Sequence, residues 1–266
     1  MTAPAVRHYG LPMQTMVAAG ADKIWAEDSG GSAPPLLLLH EGVGDARMWD
    51  LVWPELTRAF RVIRYDVRGY GRSPAPTEQY TLLGDALTVL DHFGVVTAHV
   101  VGCSMGGLTA LELALSPPVR VRTLVLLCPG ISGYPYPEDP ELEAQFEAAQ
   151  AAGDEDGLLR LGLEQWGAAG PDPLVTELMR SALRAWAYEA EFQQAGEPVY
   201  ERLGQLRVPT VLMIGDRDDA GLTASNDAAA QRIPGCELIR MPGVDHYPTV
   251  RAPQLVRETI LRHCGG

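Results

Sequence analysis

Ser104 stands in the stretch VVGCSMGG (residues 100–107), with Gly102 before it and Gly106 and Gly107 after it. A serine hydroxyl is a poor nucleophile until a base takes its proton, and the base must be held in one tautomer by an acceptor on its other ring nitrogen. A serine, a histidine and a carboxylate are therefore needed together. Among the histidines, His8 and His263 lie near the termini, His92 reads as a helix-surface residue and His99 sits inside the strand leading to the serine. Only His246, in GVDHYP, follows the last apolar run in a loop. Asp216, Asp218 and Asp219 follow the run TVLMI (210–214), and each of the three could equally close a turn or cap a helix. Asp245 adjoins His246, cannot easily reach the far ring nitrogen, and reads as a loop acceptor. For Ser104 the bland alternative is a helix N-cap, which leaves the flanking glycines unexplained.

These residues must be delivered by ends of strands. Apolar runs at 36–39 (LLLL), 61–65 (RVIRY), 98–101 (AHVV), 123–127 (TLVLL), 210–214 (TVLMI) and 237–241 (ELIRM) alternate with helical stretches. This alternation predicts a largely parallel sheet covered on both faces, with functional groups at the strand ends. QTMVAAG and KIWAEDSG flank an Ala-Asp pair and predict an antiparallel hairpin entering the sheet. From Met105, the spacing Leu108, Leu111, Leu115 gives one helix face, stopped by Pro117 and Pro118, so Ser104 falls at a strand-to-helix junction. Between Ile131 and Val208 the alternation gives way to segments rich in Ala, Glu and Leu, a helical insertion entered through the proline-rich YPYPEDP (134–140).

The chain has 266 residues, 46% hydrophobic and 21% charged, enough for one large domain carrying an inserted subdomain. Its formal charge of −13 opposes a nucleic-acid or anionic-membrane partner, which would need clustered Lys and Arg. With neither a signal-like apolar segment nor a membrane-length run, the expectation is a cytoplasmic protein, monomer or homodimer. Cys103, Cys128, Cys236 and Cys264 form no CxxC pair, and HExxH, GxGxxG and GxxxxGK are absent, so no metal, cofactor or nucleotide is expected. Cys103, beside the apex of the turn, is expected to point into the core.

Five blocks in order, LLLLHEG, RYDVRGYGRS, VVGCSMGG, IGDRD and GVDHYP, resemble the α/β-hydrolase superfamily over nearly the whole chain. The resemblance implies a mostly parallel eight-stranded sheet covered by helices on both faces, a core at 1–130 and 209–266, and a helical cap at 131–208. It implies Ser104 as nucleophile, His246 as base and, from the position three residues after a glycine, Asp218 as acid. It also implies an oxyanion hole from the backbone N–H groups of Met105 and Gly42, with His40 bracing the loop. Here the chain departs from the family, which commonly reads HGx where this sequence reads HEG. A carboxylate near a developing negative charge raises the barrier, so Glu41 is expected to point away or to be neutralised, for instance by an arginine. RGYGRS (68–73) is expected to be a structural turn with surface arginines. ARMWD (46–50), near RYDVRGYGRS, is similar to 3-oxoadipate enol-lactonases within the superfamily, with Trp49 either packed under the loop or touching a ligand.

The implied activity is cofactor-independent hydrolysis of a small apolar or aromatic ester or lactone through an acyl-enzyme. Of the insertion's large aromatics, Tyr134, Tyr136, Phe146, Trp166, Trp186, Tyr188 and Phe192, two or three are expected to line the pocket. Perhydrolysis, carbon–carbon bond hydrolysis and acyl transfer use the same trio. Serine at the apex argues against the dehalogenase and epoxide-hydrolase branches, which need a carboxylate nucleophile. A ligand sensor on the same fold is the reading from another class.

Overall fold

The computed structural model describes residues 13–265, so His8 lies outside the described residues. One sheet contains β1 Met13–Ala19, β2 Asp22–Asp28, β3 Pro35–Leu39, β4 Arg61–Tyr65, β5 Ala98–Cys103, β6 Val121–Leu127, β7 Thr210–Gly215 and β8 Glu237–Met241. Its order is β1-β2-β4-β3-β5-β6-β7-β8. The β1–β2 and β2–β4 pairs are antiparallel and every other pair is parallel. Each apolar run and the hairpin read from the sequence form strands, and the expected fold class is the observed one. Leu36, Leu37 and Leu38 of β3 are all fully buried, because a central strand covered on both faces has no solvent side. At the edge, β8 exposes Glu237 and Arg240.

The helices are α1 Trp53–Ala59, α2 Leu82–His92, α3 Met105–Leu115, α4 Pro140–Ala152, α5 Glu155–Trp166, α6 Pro173–Phe192, α7 Ala220–Arg232, α8 Pro248–Arg251 and α9 Pro253–Cys264. The step from β3 to β4 runs one way across the sheet, and the steps from β4 to β5 and onward run the other. Right-handed crossovers therefore put α1 on one face and α2, α3 and α7 on the opposite one. The last helix, α9, packs on α1 and β6, completing the first face.

Between β6 and β7 the chain inserts α4, α5 and α6. Each starts at an aspartate, Asp139, Asp154 or Asp172, whose carboxylate accepts an N–H of the first turn. Their burial is unequal: α4 buries no residue, whereas α6 buries Val175, Leu178, Met179, Ala182, Leu183 and Ala185. That stripe at helical spacing is what docks the insertion.

The turn RGYGRS departs from expectation at Arg68, while Arg72 is exposed as expected. Arg68 is buried, donating to Asp22 of β2 at 2.9 Å and to Asp85 of α2 at 2.8 Å. Arg72 lies over the ring of Trp25 at 4.0 Å. The acids that draw Arg68 inward are 46 and 17 residues away in the chain, out of reach of any local pattern. Trp49 is fully buried in the core.

Candidate active site

Strand β5 ends at Cys103, and Ser104 occupies φ 50°, ψ −112°, a left-handed backbone that a non-glycine residue adopts only under constraint. Three hydrogen bonds impose it. Ser104 N–H donates to Leu127 O at 2.9 Å, and Ser104 O accepts from Leu108 N–H and Gly130 N–H, each at 2.9 Å. The glycines make the approach possible: a Cβ on Gly102 would lie 2.2 Å from Gly106 O, and one on Gly106 would lie 2.3 Å from Leu39 O. The Ser104 side chain makes no capping bond to α3, which removes the N-cap reading. Cys103 is fully buried, and burial pushes its thiol up to about 11, so it stays protonated.

His246 follows β8 with its side chain 2% exposed, and its Nδ1 lies 2.9 Å from each carboxylate oxygen of Asp218, whose side chain is fully buried. Nδ1–H therefore donates to Asp218, leaving Nε2 as the acceptor. Burial opposes a charged ring, but the Asp218 carboxylate outweighs it and holds His246 well above the ordinary histidine value. The neighbouring aspartates have other work. Asp216 accepts from Gly243 N–H at 2.6 Å, and Asp219 caps α7 through Leu222 N–H at 2.9 Å. Asp245 accepts from Tyr247 N–H, Ala169 N–H and Arg251, tying this loop to the insertion.

After β3, His40 donates from Nδ1 to Glu41 O at 2.7 Å while its Nε2 accepts from Val67 N–H at 3.0 Å, so the ring braces the loop. Gly42 O accepts from Trp186 Nε1 at 2.8 Å and from Tyr70 Oη at 3.2 Å, and Val43 O accepts from Tyr247 Oη at 2.9 Å. A Cβ on Gly42 would lie 3.8 Å from Met105 Cβ, so the two backbones are neighbours. Met105 opens α3, and a first-turn N–H has no carbonyl to bond within its helix. Glu41 has no arginine partner among the described residues, and its carboxyl turns into its own loop. It points inward, is fully buried, and has no hydrogen-bond partner on either oxygen among the described residues. Burial raises it to about 8, so it is a neutral acid at pH 7.

Gly42, Met105, Ser104 and His246 line one cavity of about 430 Å³. Asp218 stands behind His246. No hydrogen bond joins Ser104 to His246 among the described residues; both face the same space. Phe146, Trp166 and Trp186 form the far wall, their centroids 5.9 to 6.1 Å apart. Sequence reasoning passed over the polar wall, Gln150, Glu189 and Gln193. A signal existed, since Phe146 and Gln150 are four apart on α4, and Glu189 and Gln193 are three and seven beyond Trp186. A separate cavity of about 490 Å³ beside Leu159 and Leu163 contains neither Ser104 nor His246. Cys128, Asp218 and His246 have ligand atoms within 4.8 Å of one another. Cys128 makes a poor metal ligand, because burial and neighbouring Cys103 hold its thiol well above the usual value.

A family profile described as alpha/beta hydrolase fold matches residues 34–194. The chain is 28% identical over 288 aligned positions to rhodomycin D methylesterase DauP of Streptomyces sp. (strain C5), covering 93% of this chain and 97% of that protein. Among solved structures, a hydrolase from Pseudomonas aeruginosa superposes with a TM-score of 0.77 at 27% identity, covering 95% of this chain and 98% of that one. The enol-lactonase from Burkholderia xenovorans LB400 shares the fold with a TM-score of 0.79 at 24% identity, covering 93% and 98%. No helix among the described residues is long and apolar enough to cross a membrane.

Proposed function

Because the chain belongs to the α/β-hydrolase family, we propose that it is a cofactor-independent serine hydrolase cleaving a carboxylic ester or lactone through an acyl-enzyme. The observation that carries this reading is the Asp218–His246 pair at 2.9 Å, facing the same cavity as a serine held in strained backbone. Ser104 Oγ attacks the carbonyl carbon as His246 Nε2 takes the hydroxyl proton, and Asp218 holds the ring's other N–H. The oxyanion receives the N–H groups of Gly42 and Met105, helped by the positive end of α3. Collapse breaks the bond to the alcohol oxygen, which takes the proton from His246. Water then attacks the acyl carbon, giving a proton to His246, and Ser104 recovers one as the acid leaves.

Helices α4 to α6 serve as the cap, and the rings of Phe146, Trp166 and Trp186 favour an apolar or ring-bearing acyl or alcohol group. The methylesterase relative supports an ester as the bond broken. Ser104→Ala, assayed on a p-nitrophenyl ester, is expected to lose about a thousandfold or more in kcat with an unchanged melting temperature. Retained turnover would remove Ser104 from the mechanism, and a burst of p-nitrophenol in the wild type would support the acyl-enzyme.

A further inference from the structure

Glu41 is a buried ionisable group that the reaction above does not use. Its carboxyl folds back into its own loop, where a Cβ on Gly44 would lie 2.4 Å from Glu41 Oε1. The ionisable groups that feel its charge come from four elements. They are Asp45 on the same loop, Tyr70 on the turn after β4, Cys103 at the end of β5, and His246 and Tyr247 after β8. From α6, the residue beside Gly44 is the apolar Leu178. Only His246 among these can carry positive charge, and Asp218 already engages it.

The loop backbone is held on every side of this carboxyl: Glu41 O by His40, Gly42 O by Trp186 and Tyr70, Val43 O by Tyr247, and Ala46 N–H by Asp66 at 2.8 Å. Glu41 thus sits inside the segment that carries the Gly42 N–H, one residue from it. A neutral carboxyl is the less costly form in that space, whereas a carboxylate there meets no donor beyond its own backbone N–H. Its charge would also oppose the one that develops on the substrate oxygen.

We propose that Glu41 is a positioning residue of the oxyanion loop that works only as the neutral acid, and that its deprotonation switches the hydrolase off at alkaline pH. The proposal rests on the serine-hydrolase reading for its effect on rate, but not for its effect on stability. The wild-type rate on a neutral ester, corrected for spontaneous hydrolysis, is expected to fall about ten- to thirtyfold between pH 7 and pH 9.5, centred near the Glu41 value of about 8. In Glu41→Gln, the ratio of rates at these two pH values is expected to lose that fall.

Stability reads the same proton independently. The folded state keeps the Glu41 proton up to about pH 8, while the unfolded chain releases it near 4.5. Across that window the folded state binds more protons, so wild-type stability falls as pH rises, and above about 8 the loss is complete. The melting temperature of Glu41→Gln minus that of the wild type is therefore expected to grow from pH 5 to pH 8 and then level off. Should the glutamine variant not fold, Glu41→Gly carries both readouts.

Superimposable rate profiles would overturn the positioning role, and a melting difference independent of pH would overturn the neutral acid. If Ser104→Ala keeps its activity, the serine reading fails while the melting comparison still tests Glu41.

Discussion

The loop after β3 and the loop after β7 each bury acids beside the same histidine, with opposite results. Asp218, after β7, has a fully buried side chain and meets His246 Nδ1 with both oxygens. After β3, Asp45 is equally hidden, but Arg47 and Ser181 donate to it; burial opposes its charge, and these donors outweigh that and hold it at about 2. Glu41, four residues earlier, has no such donor and sits at about 8. Burial raises an acid, and directed donors pull it down. One rim of the sheet thus holds a carboxyl against His246, a carboxylate that anchors a loop, and a third carboxyl that no side chain neutralises.

The comparison breaks most visibly at Asp218. Asp218→Asn keeps the shape, removes the charge and favours the wrong imidazole tautomer, so kcat is expected to fall about a thousandfold or more. Because Asp218 raises His246, the acid limb of the rate profile, where protonation disables the base, is expected to move to lower pH in whatever activity remains. A limb that does not move would show that the contact does not set the base.

A smaller effect is expected at Asp45, where Asp45→Asn should cost about 2 kcal/mol near neutral pH, read by urea unfolding. The sign follows from the lowered value: the contribution is complete above 3.8 and is lost as pH falls through about 2. The gap between variant and wild type should therefore narrow in acid, the reverse of the trend expected for Glu41. A constant gap would mean that packing rather than charge anchors the loop.

The mildest change is Trp186→Phe, which deletes one N–H to Gly42 O and keeps most of the apolar wall. About a threefold to tenfold loss in kcat on a small ester is expected, with Tyr70 still holding the same carbonyl. An effect confined to KM would assign Trp186 to substrate contact instead of loop placement.

Features that depend on neighbours in the chain were legible without coordinates. Six apolar runs and a hairpin mark the strands, and glycines around Ser104 mark a backbone crossing so close that a Cβ would collide. The insertion's aromatics were legible only as a set, and the structure selects Phe146, Trp166 and Trp186 from it because helix phase and docking decide which rings face the cavity. Arg68 shows the other limit, since its burial depends on acids from a hairpin and a helix elsewhere in the chain.

The amino-acid sequence by itself determined the strand pattern, the glycine-flanked turn and the order in which serine, aspartate and histidine follow their strands, because these need only local periodicity and local sterics. Tertiary structure alone decided that Glu41 turns inward and which acids keep a charge. Those outcomes depend on donors and solvent exclusion supplied by segments far apart along the chain, and no spacing in the sequence encodes them.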